Sequence, residues 1–269
     1  MDVVTRNNVT VAGRPDGQPM LFAHGFGCDQ HMWRFVAPRF EGDFRVVLFD
    51  HVGAGGSDAK AFDPQRHATL QGYADDVVTL CQQLEISDVI FVGHSVSAMI
   101  GILAARAAPG LFSRLVLVSP SPRYIDDEGS GGYVGGFSEP DISELLDALE
   151  SNYLGWSAAM APAIIANPDR PELGQELTES FCRADPVIAR SFARATFLSD
   201  NRGDLAKVDV PALVLQCTND IIAPVSVGEF VTREMPNATM VLLSATGHCP
   251  NLSAPDETAE AIAAYLQGG

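Results

Sequence analysis

The stretch "FVGHSVSAMIG", residues 91–101, decides the fold. With Val89 and Ile90 before it, the segment up to His94 is an apolar, β-branched run. The segment after Ser95 is built of small and aliphatic residues that suit a buried helix. A strand that turns abruptly into a helix at Gly93-His94-Ser95-Val96-Ser97 is the reading. The same kind of strand recurs outward from this unit, as "MLFAHG" (20–25), "RVVLFD" (45–50), "RLVLVSP" (114–120), "ALVLQC" (212–217) and "MVLLS" (240–244). Continuous rather than alternating hydrophobicity marks strands covered on both faces, as in a parallel sheet.

Helical segments fall between these strands. "LQGYADDVVTLCQQL" (70–84) places Leu70, Tyr73, Val77, Leu80, Cys81 and Leu84 on one face, and "PDETAEAIAAYLQGG" (255–269) carries proline near its start and glycine after its end. The alternation predicts an α/β fold with a mostly parallel, doubly wound sheet. It breaks between Ser121 and Asp209. There a glycine-rich stretch leads into "DISELLDALESNYLGW", "PELGQELTESFCRA" and "PVIARSFARATFLS", all helical in period. The expected organisation is a core of residues 1–120 and 210–269 with a helical lid inserted at 121–209.

The 269 residues suffice for one domain with an insertion. No apolar run reaches the roughly 18–20 residues of a membrane span, and the start, "MDVVTRNNVTVAG", lacks the pattern of a secretory signal. A soluble, cytoplasmic protein is expected. The five cysteines are odd in number, scattered and without metal-ligand spacing, which predicts free thiols. A formal net charge of −17 opposes binding to nucleic acid or to anionic membranes and leaves a neutral small molecule or a protein as partner.

Gly93-His94-Ser95-Val96-Ser97 has four of the five features of a G-x-S-x-G nucleophile elbow, in the strand-to-helix context the motif requires. Ser95 taken alone could equally cap the helix that follows. Its partners distinguish the two readings. Asp220 lies just past the next-to-last strand and His248 just past the last, in the chain order Ser, Asp, His. His248 would take the proton of Ser95 while Asp220 fixes the imidazole tautomer. "HGFG" (24–27) supplies a glycine-rich loop, and the backbone N–H groups of Phe26 and Val96 are the expected oxyanion donors. "DHVGAGGSD" (50–58) matches neither a dinucleotide nor a phosphate-loop pattern, and the histidines show no zinc spacing. No metal and no cofactor are expected.

Beyond the elbow, "HGFGCDQHMW", "RVVLFDHVGAGGSD", "SPSPRYIDD", "GGF", "NYLGWS", "CRADPVIARSFA", "LQCTNDIIAP" and "GHCPNLSAPDET" carry a resemblance over nearly the whole chain. The sequence resembles the RsbQ-type stress-response regulators of bacteria and, more distantly, the plant strigolactone and karrikin receptors, α/β-hydrolase proteins with a helical lid. Ser97 departs from the first group, where glycine is usual, and looks like the second. The resemblance implies a Ser95, Asp220, His248 triad and a deep apolar pocket whose walls include Phe26, Tyr124, Phe137, Trp156, Phe192 and Phe197. It also implies a small hydrophobic substrate or ligand, a PAS-domain phosphatase as partner, and a role in stress signalling.

Three functions are compatible with these residues. One is a serine hydrolase cleaving a small hydrophobic ester or lactone within a regulatory pathway. Another is a ligand receptor or interaction module in which hydrolysis is slow. The third is a stand-alone carboxylesterase, which would turn over many esters quickly and need no partner.

Overall fold

A computed structural model describes residues 2–127, 129 and 132–268; Glu128, Ser130 and Gly131, within the glycine-rich stretch, lie outside the described residues, as do Met1 and Gly269. The strands are β1 (Thr10–Gly13), β2 (Pro19–Ala23), β3 (Arg45–Phe49), β4 (Val89–His94), β5 (Phe112–Val118), β6 (Ala212–Asn219) and β7 (Ala238–Thr246). They form one sheet in the order β1-β3-β2-β4-β5-β6-β7. β1 runs antiparallel to β3 and every other pairing is parallel.

Side chains alternate between two apolar layers, as the two-residue period of a strand requires. Met20 and Phe22 of β2 join Val46, Ile90, Val92, Val116 and Leu213 on one face. Leu21 and Ala23 join Val47, Phe91, Leu115 and Val214 on the other. Both sets are buried, which is why each central strand reads as unbroken hydrophobicity.

The helices are α1 (Val3–Arg6), α2 (Leu70–Gln83), α3 (Val96–Ala107), α4 (Glu139–Ser151), α5 (Tyr153–Ile165), α6 (Pro171–Arg183), α7 (Pro186–Phe197), α8 (Arg202–Leu205), α9 (Val225–Glu234), α10 (Pro250–Ser253) and α11 (Pro255–Gln267). Helices α2, α3 and α9 contribute to the second apolar layer, and α11 to the first. Among the described residues no helix is long and apolar enough to cross a membrane.

The insertion between β5 and β6 carries α4 to α8. Their boundaries follow from local chemistry. Ser138 and Asp141 form a reciprocal capping box at the start of α4, and the Asp185 carboxylate accepts the N–H groups of Val187 and Ile188 at the start of α7. Before α4, two isolated bridges join Ile125 to Phe137 and Asp127 to Tyr133.

Several elements differ from the sequence reading: the stretch read as one helix over 141–156 is split at Asn152 into α4 and α5, and the short α1, α8 and α10 as well as β1 and α9 are not marked in it. β1 has no counterpart in the predicted strands, because it has four residues and its side chains are mostly exposed, so no apolar run marks it. α9 separates β6 from β7 where no helix is expected, and its fully buried residues are only Val227, Gly228 and Val231.

Candidate active site

Ser95 sits between β4 and α3 with φ 56° and ψ −123°, a left-handed conformation that costs a non-glycine residue on the order of 1–3 kcal/mol. The turn is held by both of its backbone groups. The Ser95 N–H donates to the Val118 carbonyl at the end of β5 (2.8 Å), and its carbonyl accepts from Ala98 (2.9 Å). Gly93 has no substitute here, since a Cβ would stand 2.5 Å from the Ser97 carbonyl oxygen.

Ser97 replaces the second glycine of the elbow, and its hydroxyl has a structural use. It donates to the His24 carbonyl (2.5 Å) and accepts from His51 Nε2 (2.7 Å). The His51 N–H in turn donates to His24 Nε2 (3.0 Å), which leaves His24 Nδ1–H to donate to the Gly25 carbonyl (2.9 Å). A chain of hydrogen bonds therefore runs from the elbow into the "HGFG" loop, all of it buried. Burial, reinforced by the neighbouring His24 ring, drives the His51 pKa well below the ordinary imidazole value, so His51 stays neutral.

Asp220 follows β6 and His248 follows β7, so both reach the end of the sheet where Ser95 stands, the edge at which open α/β sheets place their ligands. His248 Nε2 lies 2.7 Å from Ser95 Oγ, and His248 Nδ1 lies 2.7 Å from Asp220 Oδ2. The other Asp220 oxygen accepts the N–H groups of Ile222 (2.8 Å) and Ala223 (3.1 Å). Burial alone would raise the Asp220 pKa. The charge and hydrogen bond of His248, with those two N–H groups, outweigh it and hold the carboxyl below the usual carboxylate range. An ionised Asp220 keeps the proton on Nδ1, which leaves Nε2 free to accept from the serine hydroxyl.

The His248 backbone is clamped at both ends. Its N–H donates to the Ile164 carbonyl of α5 (2.8 Å), and its carbonyl accepts His94 Nε2–H (2.8 Å). Among the described residues His94 Nδ1 is buried without a partner, and burial together with the neighbouring His248 ring lowers the His94 pKa to about 3. It therefore donates as a neutral ring across the physiological range. Sequence reading offered no role for His94, since its use depends on a carbonyl 154 residues away.

Above Ser95 lies a small, mostly apolar cavity. Phe26, Tyr124, Trp156 and Phe197 line it together with His94, Ser95 and His248. Phe192 and Phe137 do not, contrary to the sequence reading. Phe192 and Phe197 are five residues apart on α7, about 140° around a helix of 3.6 residues per turn, and only one can face the cavity. Phe192 instead stacks on Tyr73 at 4.3 Å. Phe137 is held in the loop before α4, where its N–H donates to the Tyr124 carbonyl (3.2 Å) and its carbonyl accepts from Asp126 (2.8 Å).

The walls missing from the sequence reading include Met160 and Ile164 on α5 and Leu177 and Phe181 on α6. Their signal was the spacing of four residues: Trp156, Met160 and Ile164 form one row, Leu177 and Phe181 another.

The predicted oxyanion donors are open. Phe26 lies in the loop after β2, and Val96 opens α3, so its N–H falls outside the intrahelical ladder; neither N–H finds an acceptor among the described residues. Among the same residues no cluster of three or more His, Cys, Asp or Glu could hold a metal ion.

A strained serine at a strand-to-helix corner, with histidine and aspartate delivered by the last two strands of a parallel sheet, is the arrangement of an α/β hydrolase. Residues 20–261 match the model of the alpha/beta hydrolase family, and the chain belongs to that family. It is 40% identical to a strigolactone esterase of Arabidopsis thaliana over 254 residues, 94% of this chain and 93% of that protein. It is 39% identical to karrikin insensitive 2 receptor CA of Petunia hybrida over 251 residues, 93% and 92% of the two chains. The structure of olei00960, a hydrolase from Oleispira antarctica, superposes with a TM-score of 0.96 at 38% identity, covering 100% of this chain and 97% of that one.

Proposed function

We propose that the protein is a serine hydrolase that cleaves a small hydrophobic ester or lactone through an acyl-enzyme on Ser95. The observation that carries this reading is the unbroken hydrogen-bond line from Ser95 Oγ through His248 to Asp220, opening into a closed apolar cavity. In the first step Ser95 Oγ attacks the carbonyl carbon while its proton passes to His248 Nε2. The carbonyl oxygen then carries the negative charge, and the N–H groups of Phe26 and Val96 are placed to donate to it. Collapse breaks the bond to the leaving alkoxide, which takes the proton from His248. Water, activated by the same imidazole, hydrolyses the acyl-serine.

The cavity favours an apolar substrate, because its wall is mostly aliphatic and aromatic, with Ser95, His94, Tyr124, Thr196 and His248 among its few polar side chains and no carboxylate, lysine or arginine in it. The names of the relatives, a strigolactone esterase and a karrikin receptor, are compatible with an ester or lactone as the ligand class. They also favour a second reading, in which ligand binding under the helical insertion serves signalling and turnover is slow. A stress-signalling role in the cytoplasm with a PAS-domain phosphatase as partner belongs to that reading and rests on sequence resemblance alone.

The test is intact-mass labelling with a serine-directed sulfonyl fluoride beside turnover of p-nitrophenyl acetate, for wild type and Ser95→Ala. One adduct and measurable turnover, both lost in Ser95→Ala, are expected. Turnover unchanged in the variant would refute the role of Ser95. An adduct with very slow turnover would favour the receptor reading.

A further inference from the structure

His248 is held from two sides by different parts of the fold. His94, on the core, holds its carbonyl, and the inserted helix α5 holds its N–H through the Ile164 carbonyl. The second hold belongs to a larger junction between the C-terminal turn of α5 and the segment Thr246-Gly247-His248 at the end of β7.

The last carbonyls of a helix have no partner within it. At the end of α5 two of them are used at this junction. The Ile164 carbonyl takes the His248 N–H (2.8 Å), and the Ile165 carbonyl takes the side-chain amide of Asn167 (2.5 Å). The same Asn167 Nδ2 donates to the Thr246 carbonyl (3.2 Å), so one amide group ties the helix end to the residue two before His248. Both acceptors are carbonyl oxygens, which fixes the amide with its nitrogen toward them.

Two left-handed residues stand where the chains meet. Ala166, with φ 50°, ends α5; Gly247 has φ +82°, and a Cβ there would run into the Ile165 carbonyl. A left-handed alanine is unfavourable by itself, so the turn persists because the contacts around it hold it. The Gly247 N–H is fixed on the Asn219 carbonyl (2.7 Å), next in the chain to Asp220.

The imidazole of His248 has a 2.7 Å hydrogen bond on each side, so a displacement of its backbone lengthens at least one of them. Ile164 gives its carbonyl to that backbone and its side chain to the cavity wall, in a row with Trp156 and Met160. The helix that walls the cavity thus also aims the base.

We propose that Asn167 is a positioning residue for His248: together with the Ile164 carbonyl it docks the histidine segment on the C-terminal turn of α5 and keeps the imidazole in line between Ser95 and Asp220. This rests on the hydrolase reading above. Asn167 does not line the cavity, so its effect passes through the backbone of Thr246 and His248.

The experiment compares wild type, Asn167→Ala and Asn167→Asp, the last keeping the size of the side chain while setting a carboxylate against two carbonyl oxygens. Asn167 is only partly buried, at a helix end, and both variants are expected to fold. In both, kcat on p-nitrophenyl acetate is expected to fall about tenfold with KM within about twofold, because a misplaced base slows the chemistry without removing binding contacts. Labelling of Ser95 by the sulfonyl fluoride should slow in parallel, and the low-field proton resonance of His248 Nδ1–H should shift or broaden. A lower urea midpoint with wild-type kcat, labelling rate and resonance would show a purely structural junction and overturn the proposal, as would a rise in KM at constant kcat. If Asn167→Ala does not fold, the same readouts on Asn167→Asp decide. Wild type that shows the resonance but no turnover would refute the hydrolase reading instead, and the resonance in the variants would still decide the role of Asn167.

Discussion

At Ser97 one hydroxyl does what no glycine could. It bridges the His24 carbonyl and His51 Nε2–H, and through them fixes the loop that carries the Phe26 N–H. Removing it leaves a buried imidazole N–H without an acceptor, which costs about 1–3 kcal/mol. Ser97→Ala is therefore expected to lower the unfolding free energy by that amount, seen as a lower urea midpoint at unchanged m, and to reduce kcat on p-nitrophenyl acetate more than it raises KM. An unchanged midpoint would show that the bridge carries no stability. The residues whose chemistry follows from type and chain position, Ser95, Asp220 and His248, were legible in the sequence, and the structure brings all three within hydrogen-bonding distance of one another in line. The bridge itself was not. It joins residues 24, 51 and 97, whose proximity follows from the register of β2, β3 and β4 rather than from any local pattern.

The central strands declare themselves because burial on both faces demands unbroken apolar sequence, whereas β1 at the sheet edge has no such demand. The inserted helices were legible by period, but not the direction each face takes. Phe192 and Phe197 both read as cavity walls until the helix is built. What seats this helical layer is close approach to glycines on the core. Gly27 has φ +71° and a Cβ there would run into the Phe181 ring of α6; Gly53 has φ +87° and a Cβ there would run into Ile188 of α7. Gly53→Ala should force α7 away from the core, combining backbone strain with overpacking worth about 1–3 kcal/mol. Hydrogen exchange is expected to accelerate in α6 and α7 while β2, β4 and β5 keep their protection. Uniform acceleration through the sheet would mean that the insertion and core open as one unit.

The whole molecule is acidic, with a formal charge of −17, yet its sensitivity to acid should begin with histidine. Five of its six histidines are buried, namely His24, His51, His67, His94 and His248. His94, facing His248, Asp220 and His24, has its pKa lowered to about 3, chiefly by burial; His51 is lowered in the same direction. The unfolded chain binds protons on His51 and His94 below about pH 6.5 while the native state does not. Unfolding then takes up protons, and stability falls as pH falls from about 6.5 toward 3, where His94 titrates in the folded state as well. His94 alone accounts for about 1.4 kcal/mol per pH unit in that window, or roughly 3 kcal/mol between pH 7 and 4.5. His51 adds in the same sense. Asp220 and Asp76 are held below the ordinary carboxylate value, so their contribution is present above about pH 3.8 and is lost only as pH falls through their lower native values. The two classes thus titrate in separable windows. Urea unfolding at half-unit steps from pH 7 to 4.5 should show stability declining well before Asp220 or Asp76 protonates. His94→Gln, which keeps a donor for the His248 carbonyl, should reduce the slope by about one proton. A flat profile above pH 5 in the wild type would mean that these imidazoles reach solvent in the native state, and that the closed cavity opens far more often than its packing implies.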